Sequence, residues 1–178
     1  MADLLKLHDQ NPDPRKVQEV LRVLDRDGLV VCPTDTVYSF AAKLGSPKAF
    51  DRLARAKGIK PDKAEFSLLC ADLSDLSKYA QHLSNPLFKM MKRALPGPYT
   101  FILPASPEVP RRLQHPRKRT VGVRIPEHRI TQAILAGNTV VAKGSEVTPY
   151  SAKLAEDIYR EAGLPEGVLQ VLLGDGET

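Results

Sequence analysis

Two capping residues each followed by proline, Asp13-Pro14 and Ser46-Pro47, bracket the apolar run LVVC at residues 29–32. A capping side chain with proline in the first turn marks where a helix starts. The pattern therefore predicts helix, strand and helix in succession before about Lys57. Val17, Val20, Leu21 and Leu24 recur at i, i+3, i+4 and i+7, which gives the first helix one apolar face, and Gly28 is expected to close it. LVVC reads as a buried strand. It breaks at Pro33 into PTDTVY, where two hydroxyls, a carboxylate and a phenol stand in place of a simple turn.

Further strands are expected at 66–70, 99–105, 120–125, 138–142 and 168–173. Helices are expected at 72–82, 84–94, 127–136 and 148–163. In the 84–94 helix, Leu87, Phe88, Met91 and Leu95 form a stripe read as core; Leu154, Ala155, Ile158 and Ala162 do the same for 148–163. Strands and helices mix irregularly, so the predicted fold class is α/β: a mixed, twisted sheet with helices packed around it. At 178 residues the chain suits one domain, 1–178, with an adequate core. Cys32 and Cys70 lie inside apolar runs and read as buried thiols rather than a disulfide. The four histidines are too far apart for a metal-ligand pattern. Neither a leader nor a membrane span is visible, and a soluble, reducing, cytoplasmic setting is expected.

Lys and Arg exceed Asp and Glu by 26 − 21 = 5, compatible with an anionic partner. Residues 107–119 carry Arg111, Arg112, Arg117, Lys118 and Arg119. They read either as a solvated loop or as a phosphate-facing one, giving salt-sensitive, sequence-independent binding. Lys57, Lys60 and Lys63 follow the second helix, either capping its C-terminus or surrounding a triphosphate. Arg124 differs, because a charge inside the strand TVGVRI needs a partner or a ligand.

The segments PTDTVYSFAA, RLARAKG, ADLSDLSKYA, ALPGPYTFILPAS, EVPRRL and KRTVGVRIPEH, in that order, resemble the YrdC-like family, most nearly its YciO-type branch, over about residues 12–137. The resemblance implies a twisted mixed sheet with a concave basic cavity that binds ATP and double-stranded RNA or tRNA. Its catalytic branch makes threonylcarbamoyl-adenylate from L-threonine, bicarbonate and ATP for tRNA N6-threonylcarbamoyladenosine modification. It implies substrate contacts at Thr34, Asp35, Thr36, Tyr38 and Arg124. Nucleotide contacts would be Lys57, Thr100 and Thr120, to which the basic loop adds Lys60 and Lys63 as candidates, with Ser145 a further candidate. With an RNA partner implied, the charged loop makes Arg111, Arg112, Arg117, Lys118 and Arg119 the candidate RNA-facing residues. ATP would act as substrate with Mg2+, with no tightly bound cofactor and no membrane partner; oligomeric state is not legible.

The chain also departs from the family. Ser39 replaces a glycine, which would narrow the cavity or demand glycine-like backbone angles. Ile59 replaces the arginine of the Lys-x-Arg element, Leu69 stands where the catalytic branch has histidine, and Gly144 and Glu146 replace a Ser-x-Asn pair. The expected function is nucleotide and RNA binding without full catalysis, with threonylcarbamoyl-AMP synthase as the alternative. Residues 136–176 separately resemble the cofactor-binding segment of aldehyde dehydrogenases. Lys143 and Glu146 there match a ribose-contacting Lys-Pro-Ser-Glu motif, which leaves an NAD(H)-adenosine-binding tail as a third reading.

Overall fold

The computed structural model describes residues 4–137 and 140–143. These fall within one compact unit that ends at Lys143. The expected elements 148–163 and 168–173 lie outside the described residues, as do Ser145, Gly144 and Glu146.

In chain order the elements are α1 (Pro14–Asp25), β1 (Leu29–Cys32), β2 (Ser39–Lys43), α2 (Pro47–Ala56) and β3 (Ser67–Leu69). There follow α3 (Leu73–Tyr79), α4 (Asn85–Ala94), β4 (Phe101–Pro104), β5 (Thr120–Arg124), α5 (Arg129–Leu135) and β6 (Val140–Lys143), with short 3-10 turns at Pro61–Lys63 and Arg111–Leu113. The caps act as their sequence implies. Asp13 accepts from the Arg15 N–H, and Ser46 accepts from the Ala49 N–H. Asp72 and Ser84 start α3 and α4 in the same way, each such cap stabilising its helix by about 1 kcal/mol. At the end of α1 the left-handed residue is Asp27, not Gly28. Gly28 is needed for a different reason: a Cβ there would come within 2.6 Å of the Val23 carbonyl oxygen.

The strands form one sheet in the order β1-β2-β6-β3-β5-β4, in which β3 and β5 run parallel and the other neighbours antiparallel. Strand β2, SFAAK, went unread in the sequence because small residues and a short alternation give little strand signal. It displaces β1 to the sheet edge. The expectation of a buried LVVC is corrected accordingly: Val31 is 54% exposed, and only Cys32 is buried. A second correction concerns α4, where Met91 is fully buried but Phe88 is exposed. The helix rests on Met91, with Leu95 following it, and its stripe is narrower than the sequence period suggested.

Because side chains alternate along strands, the sheet has two distinct faces. One carries Ala42, Leu68, Val121, Val123, Leu103 and Val141, packed against Phe50, Leu53, Leu76 and Met91 of α2, α3 and α4. On the other face, Cys32, Ala41, Leu69 and Val140 pack beneath Val20 and Leu24 of α1 and Ile130, Ile134 and Leu135 of α5. Those two helices cover only part of that face. Over β3, β5 and β4 it continues as Ser67, Thr120, Gly122 and Ile102, and Ile102 is 73% exposed.

Candidate functional site

The partly open sheet face ends at Arg124, the last residue of β5. Its register partner on β3 is Leu69, so Arg124 belongs to the same face as Thr120 and Gly122. The β1–β2 connection meets it there. Arg124 Nη2 donates to Asp35 Oδ1 at 2.5 Å and to Thr36 Oγ1 at 3.1 Å. The ion pair is largely shielded, with side-chain exposures of 14% for Arg124 and 11% for Asp35. The contact is monodentate: Asp35 Oδ2 and Arg124 Nε are both buried and have no partner among the described residues. A buried acceptor and a buried donor left open side by side are costly. Their complement is a ligand that offers a donor next to an acceptor.

The loop carrying Asp35 is held from two sides. Thr34 Oγ1 donates to the Val37 carbonyl at 2.6 Å and accepts the Thr36 and Val37 N–H groups at 3.2 Å each. This is a hydroxyl turn of the kind that Thr forms at strand ends. From below, the buried Thr131 of α5 donates its hydroxyl to the Pro33 carbonyl. The four residues of PTDT thus divide their work. Thr34 builds the turn and Asp35 holds Arg124, while Thr36 keeps an exposed hydroxyl bonded to Arg124 and 3.1 Å from Thr34 Oγ1. Tyr38 projects from the rim and is exposed.

Ser39 is buried at the start of β2 in register with Cys32, whose thiol donates to the Ser39 carbonyl. Its φ is not positive, so the expectation of glycine-like backbone angles is not met. Gly122 forms part of the floor. A Cβ there would lie 2.7 Å from Ser67 Oγ and 3.2 Å from Thr100 Cγ2. Thr100 and Thr120 flank this floor, Thr100 exposed and Thr120 half-buried.

The remaining predicted residues lie elsewhere. Lys57 is the C-cap of α2, its ammonium 5.6 Å from the centre of the Phe40 ring, and Phe40 packs against the core of the opposite face. Lys60 precedes the Pro61–Lys63 turn and Lys63 ends it, and both are exposed. Arg111, Arg117, Lys118 and Arg119 are exposed on the β4–β5 connection. Arg112 differs from them: it pairs with Asp51 at 2.9 Å and lies 5.0 Å above the Phe50 ring.

Two departures now have physical content. Leu69 is buried in the core under α1 and α5, and Ile59 packs against the core under α2. Each places an apolar packing group where a polar contact would otherwise stand. Sequence reading also missed Ser67, Gly122 and Thr131, whose relevance depends on pairings 55 residues or more apart that no local pattern announces. It missed a hollow of about 360 Å³ beside Pro126 and Arg129 as well; there the buried Nδ1 of His128 has no partner among the described residues. Burial raises both cysteine thiols above the ordinary 9.0, and for Cys70 the nearby Asp75 and Asp72 add to the shift.

A family model named Sua5_yciO_yrdC and described as "Telomere recombination" matches residues 22–162. The chain belongs to the Sua5/YciO/YrdC family. Within it, the chain is 36% identical over 155 residues to the uncharacterized protein YciO of Escherichia coli K12, covering 83% of this chain and 74% of that one. The crystal structure of E. coli YciO superposes with a TM-score of 0.75 at 35% identity, over 82% of this chain and 73% of that one. The mixed sheet and its flanking helices are therefore the Sua5/YciO/YrdC fold. A threonylcarbamoyl-AMP synthase of Pyrococcus abyssi is 32% identical over 161 residues, covering 86% of this chain but 45% of the synthase. P. abyssi Sua5 complexed with L-threonine superposes with a TM-score of 0.69 at 28% identity, over 75% of this chain and 39% of that one. A segment of 54 residues is also 48% identical to an N-succinylglutamate 5-semialdehyde dehydrogenase of Yersinia pseudotuberculosis, covering 30% of this chain and 11% of the enzyme. The family match thus coexists with a short dehydrogenase-like segment.

Proposed function

We propose that this protein binds ATP and RNA through the Sua5/YciO/YrdC scaffold without carrying adenylate synthesis to completion. The observation that carries the reading is the Arg124–Asp35–Thr36 cluster at the end of a partly uncovered sheet face, with one acceptor and one donor of the ion pair unpartnered among the described residues. A guanidinium already oriented by a carboxylate is prepared for phosphate or carboxylate recognition at little further entropic cost. Thr36 adds a hydroxyl at the same point. Ser67, Thr100 and Thr120 add hydroxyls beside Gly122, where Ser67 and Thr100 pack closely over the glycine.

Restriction to binding rests on Ile59 and Leu69. Phosphoryl and adenylyl transfers depend on cations and hydrogen-bond donors placed around the developing charge. Here two of the positions at which the catalytic branch has such groups are occupied by apolar side chains engaged in core packing. Losing one transition-state donor costs about 2.7–4 kcal/mol in well-studied cases, so two losses would bring the rate down by several orders of magnitude. ATP with Mg2+ and L-threonine remain the ligands of choice for the site, and bicarbonate is a co-substrate only in the synthase reading.

The deciding experiment follows pyrophosphate release in ATP, Mg2+, L-threonine and bicarbonate, alongside thermal unfolding with ATP and Mg2+. The expected result is a raised melting temperature with ATP and no pyrophosphate above background. Sustained pyrophosphate release that requires threonine would establish the synthase instead. No thermal response to ATP at millimolar concentration would remove the nucleotide-binding reading altogether.

A further inference from the structure

The β4–β5 connection is closed from inside by one histidine. His115 N–H donates to the Thr120 carbonyl at 2.8 Å, and the Arg119 N–H returns to the His115 carbonyl at 2.9 Å. Within that closure, His115 Nδ1 accepts from the Arg117 N–H at 3.2 Å and from the Lys118 N–H at 3.1 Å. The ring thus does what an Asn or Asp side chain does when it accepts from the backbone two residues on. Arg119 is held in the left-handed region at φ 49°, a conformation that a non-glycine residue keeps only where its surroundings fix it. The Arg119 carbonyl in turn accepts from the Ala105 N–H at 2.9 Å, so the same turn sets where the β4–β5 ladder begins.

A ring nitrogen that accepts a hydrogen bond cannot also carry a proton. With Nδ1 as the acceptor, the neutral imidazole holds its single N–H at Nε2. A second proton would have to enter at Nδ1, where it would face two backbone donors with no acceptor between them. The surrounding charges pull both ways. Glu65 Oε1, on the α2–β3 connection, lies 3.9 Å from Nε2 and favours the imidazolium, but Glu65 is 74% exposed and its pull is screened. The two connections otherwise carry Lys60, Lys63, Arg111, Arg117, Lys118 and Arg119 against Asp62 and Glu108, a surplus of cations that disfavours one more positive charge. Asp51 of α2 is already taken by Arg112. The loss of the acceptor for two backbone N–H groups therefore outweighs one screened ion pair.

We propose that His115 is a proton-operated latch on the β4–β5 turn, closed while the imidazole is neutral and opened when the ring takes up its second proton. The ring's support of the turn is complete at pH values above the imidazole titration and is lost as pH falls through it. Histidine is the side chain that changes charge between about pH 5 and pH 8, so opening belongs to the mildly acidic range. The part released is the turn from His115 to Arg119, together with the Thr120 end of β5 beside the open sheet face. The device is conformational, and it holds whatever ligand that face takes.

The test follows trypsin cleavage after Arg117, Lys118 and Arg119, located by mass spectrometry, between about pH 8 and about pH 5.5. Each rate is divided by that of a free peptide of residues 113–121 at the same pH, which cancels the pH dependence of the protease and leaves the open fraction of the turn. Near-UV circular dichroism confirms at each pH that the rest of the fold is intact. In wild type the ratio is expected to rise by about tenfold or more on acidification. His115→Asn keeps an acceptor that does not titrate and should stay protected at every pH. Glu65→Gln should keep the rise and move it slightly to lower pH, because an anion that favours the imidazolium is gone. A wild-type ratio that does not change with pH, or an equal rise in His115→Asn, overturns the latch. So does loss of the rise in Glu65→Gln, which would assign the sensing to the ion pair. Nitrogen NMR of the wild-type ring gives a check that needs no variant: at about pH 8 Nδ1 should be bare and Nε2 protonated, and a proton on Nδ1 there would refute the proposal.

Discussion

Asp35 and Arg124 show how a single pair can serve both the fold and the site. Their side chains are about seven-eighths shielded and linked by one short contact, so removing either leaves a buried charge without its partner. Asp35→Leu alone or Arg124→Met alone is expected to destabilise by about 3–5 kcal/mol, whereas the double variant regains most of the loss. Urea unfolding of all four proteins checks this; additive losses would show that the pair does not interact in solution. The double variant should also lose its thermal response to ATP, because the guanidinium is gone. The thiols make the opposite case, since burial leaves them inert. Cys32 and Cys70 are buried and their ionisation is pushed up. Neither should react with Ellman's reagent at pH 8 until the protein is denatured. Because the folded values lie above the unfolded value of 9.0, the contribution of the neutral thiols is complete below that pH. It is lost as pH rises through the range above it. Fast labelling of either thiol in native buffer would contradict the burial.

At the scale of elements, the uncovered part of the sheet depends on β5, whose alternation puts Val121 and Val123 into one core and Thr120, Gly122 and Arg124 on the open side. The capped helices were legible in sequence because each start rests on local chemistry. Strand β2 and the narrow footing of α4 were not, because burial there depends on which strand arrives alongside. Gly122 is a sharp probe of this element. Gly122→Val places a branched side chain against Ser67 Oγ and Thr100 Cγ2, where even a Cβ is 2.7 Å from the former. The expected outcome is a destabilisation of about 1–3 kcal/mol and loss of ATP-induced stabilisation, read by calorimetry with and without ATP. An unaltered ATP response would mean that the nucleotide does not use this floor.

The sheet also orders stability across the molecule. Strands β6, β3 and β5 are central, whereas β1 is an edge strand with Val31 in solvent. Amide exchange should therefore be slowest at Leu68, Val123 and Val141 and faster along β1; equal protection of β1 would indicate that something covers that edge. The sequence by itself determined the helix starts, the mixed α/β class, the family motifs and the buried thiols, since capping, periodicity and apolar runs act over a few residues. Only tertiary structure decided that Asp35 is committed to Arg124 across 89 positions. The same holds for Leu69 and Ile59 as core packing and for His115 lying beside Glu65. Each of these depends on strand order and register, which are set by the joint burial of two cores and not by any local pattern.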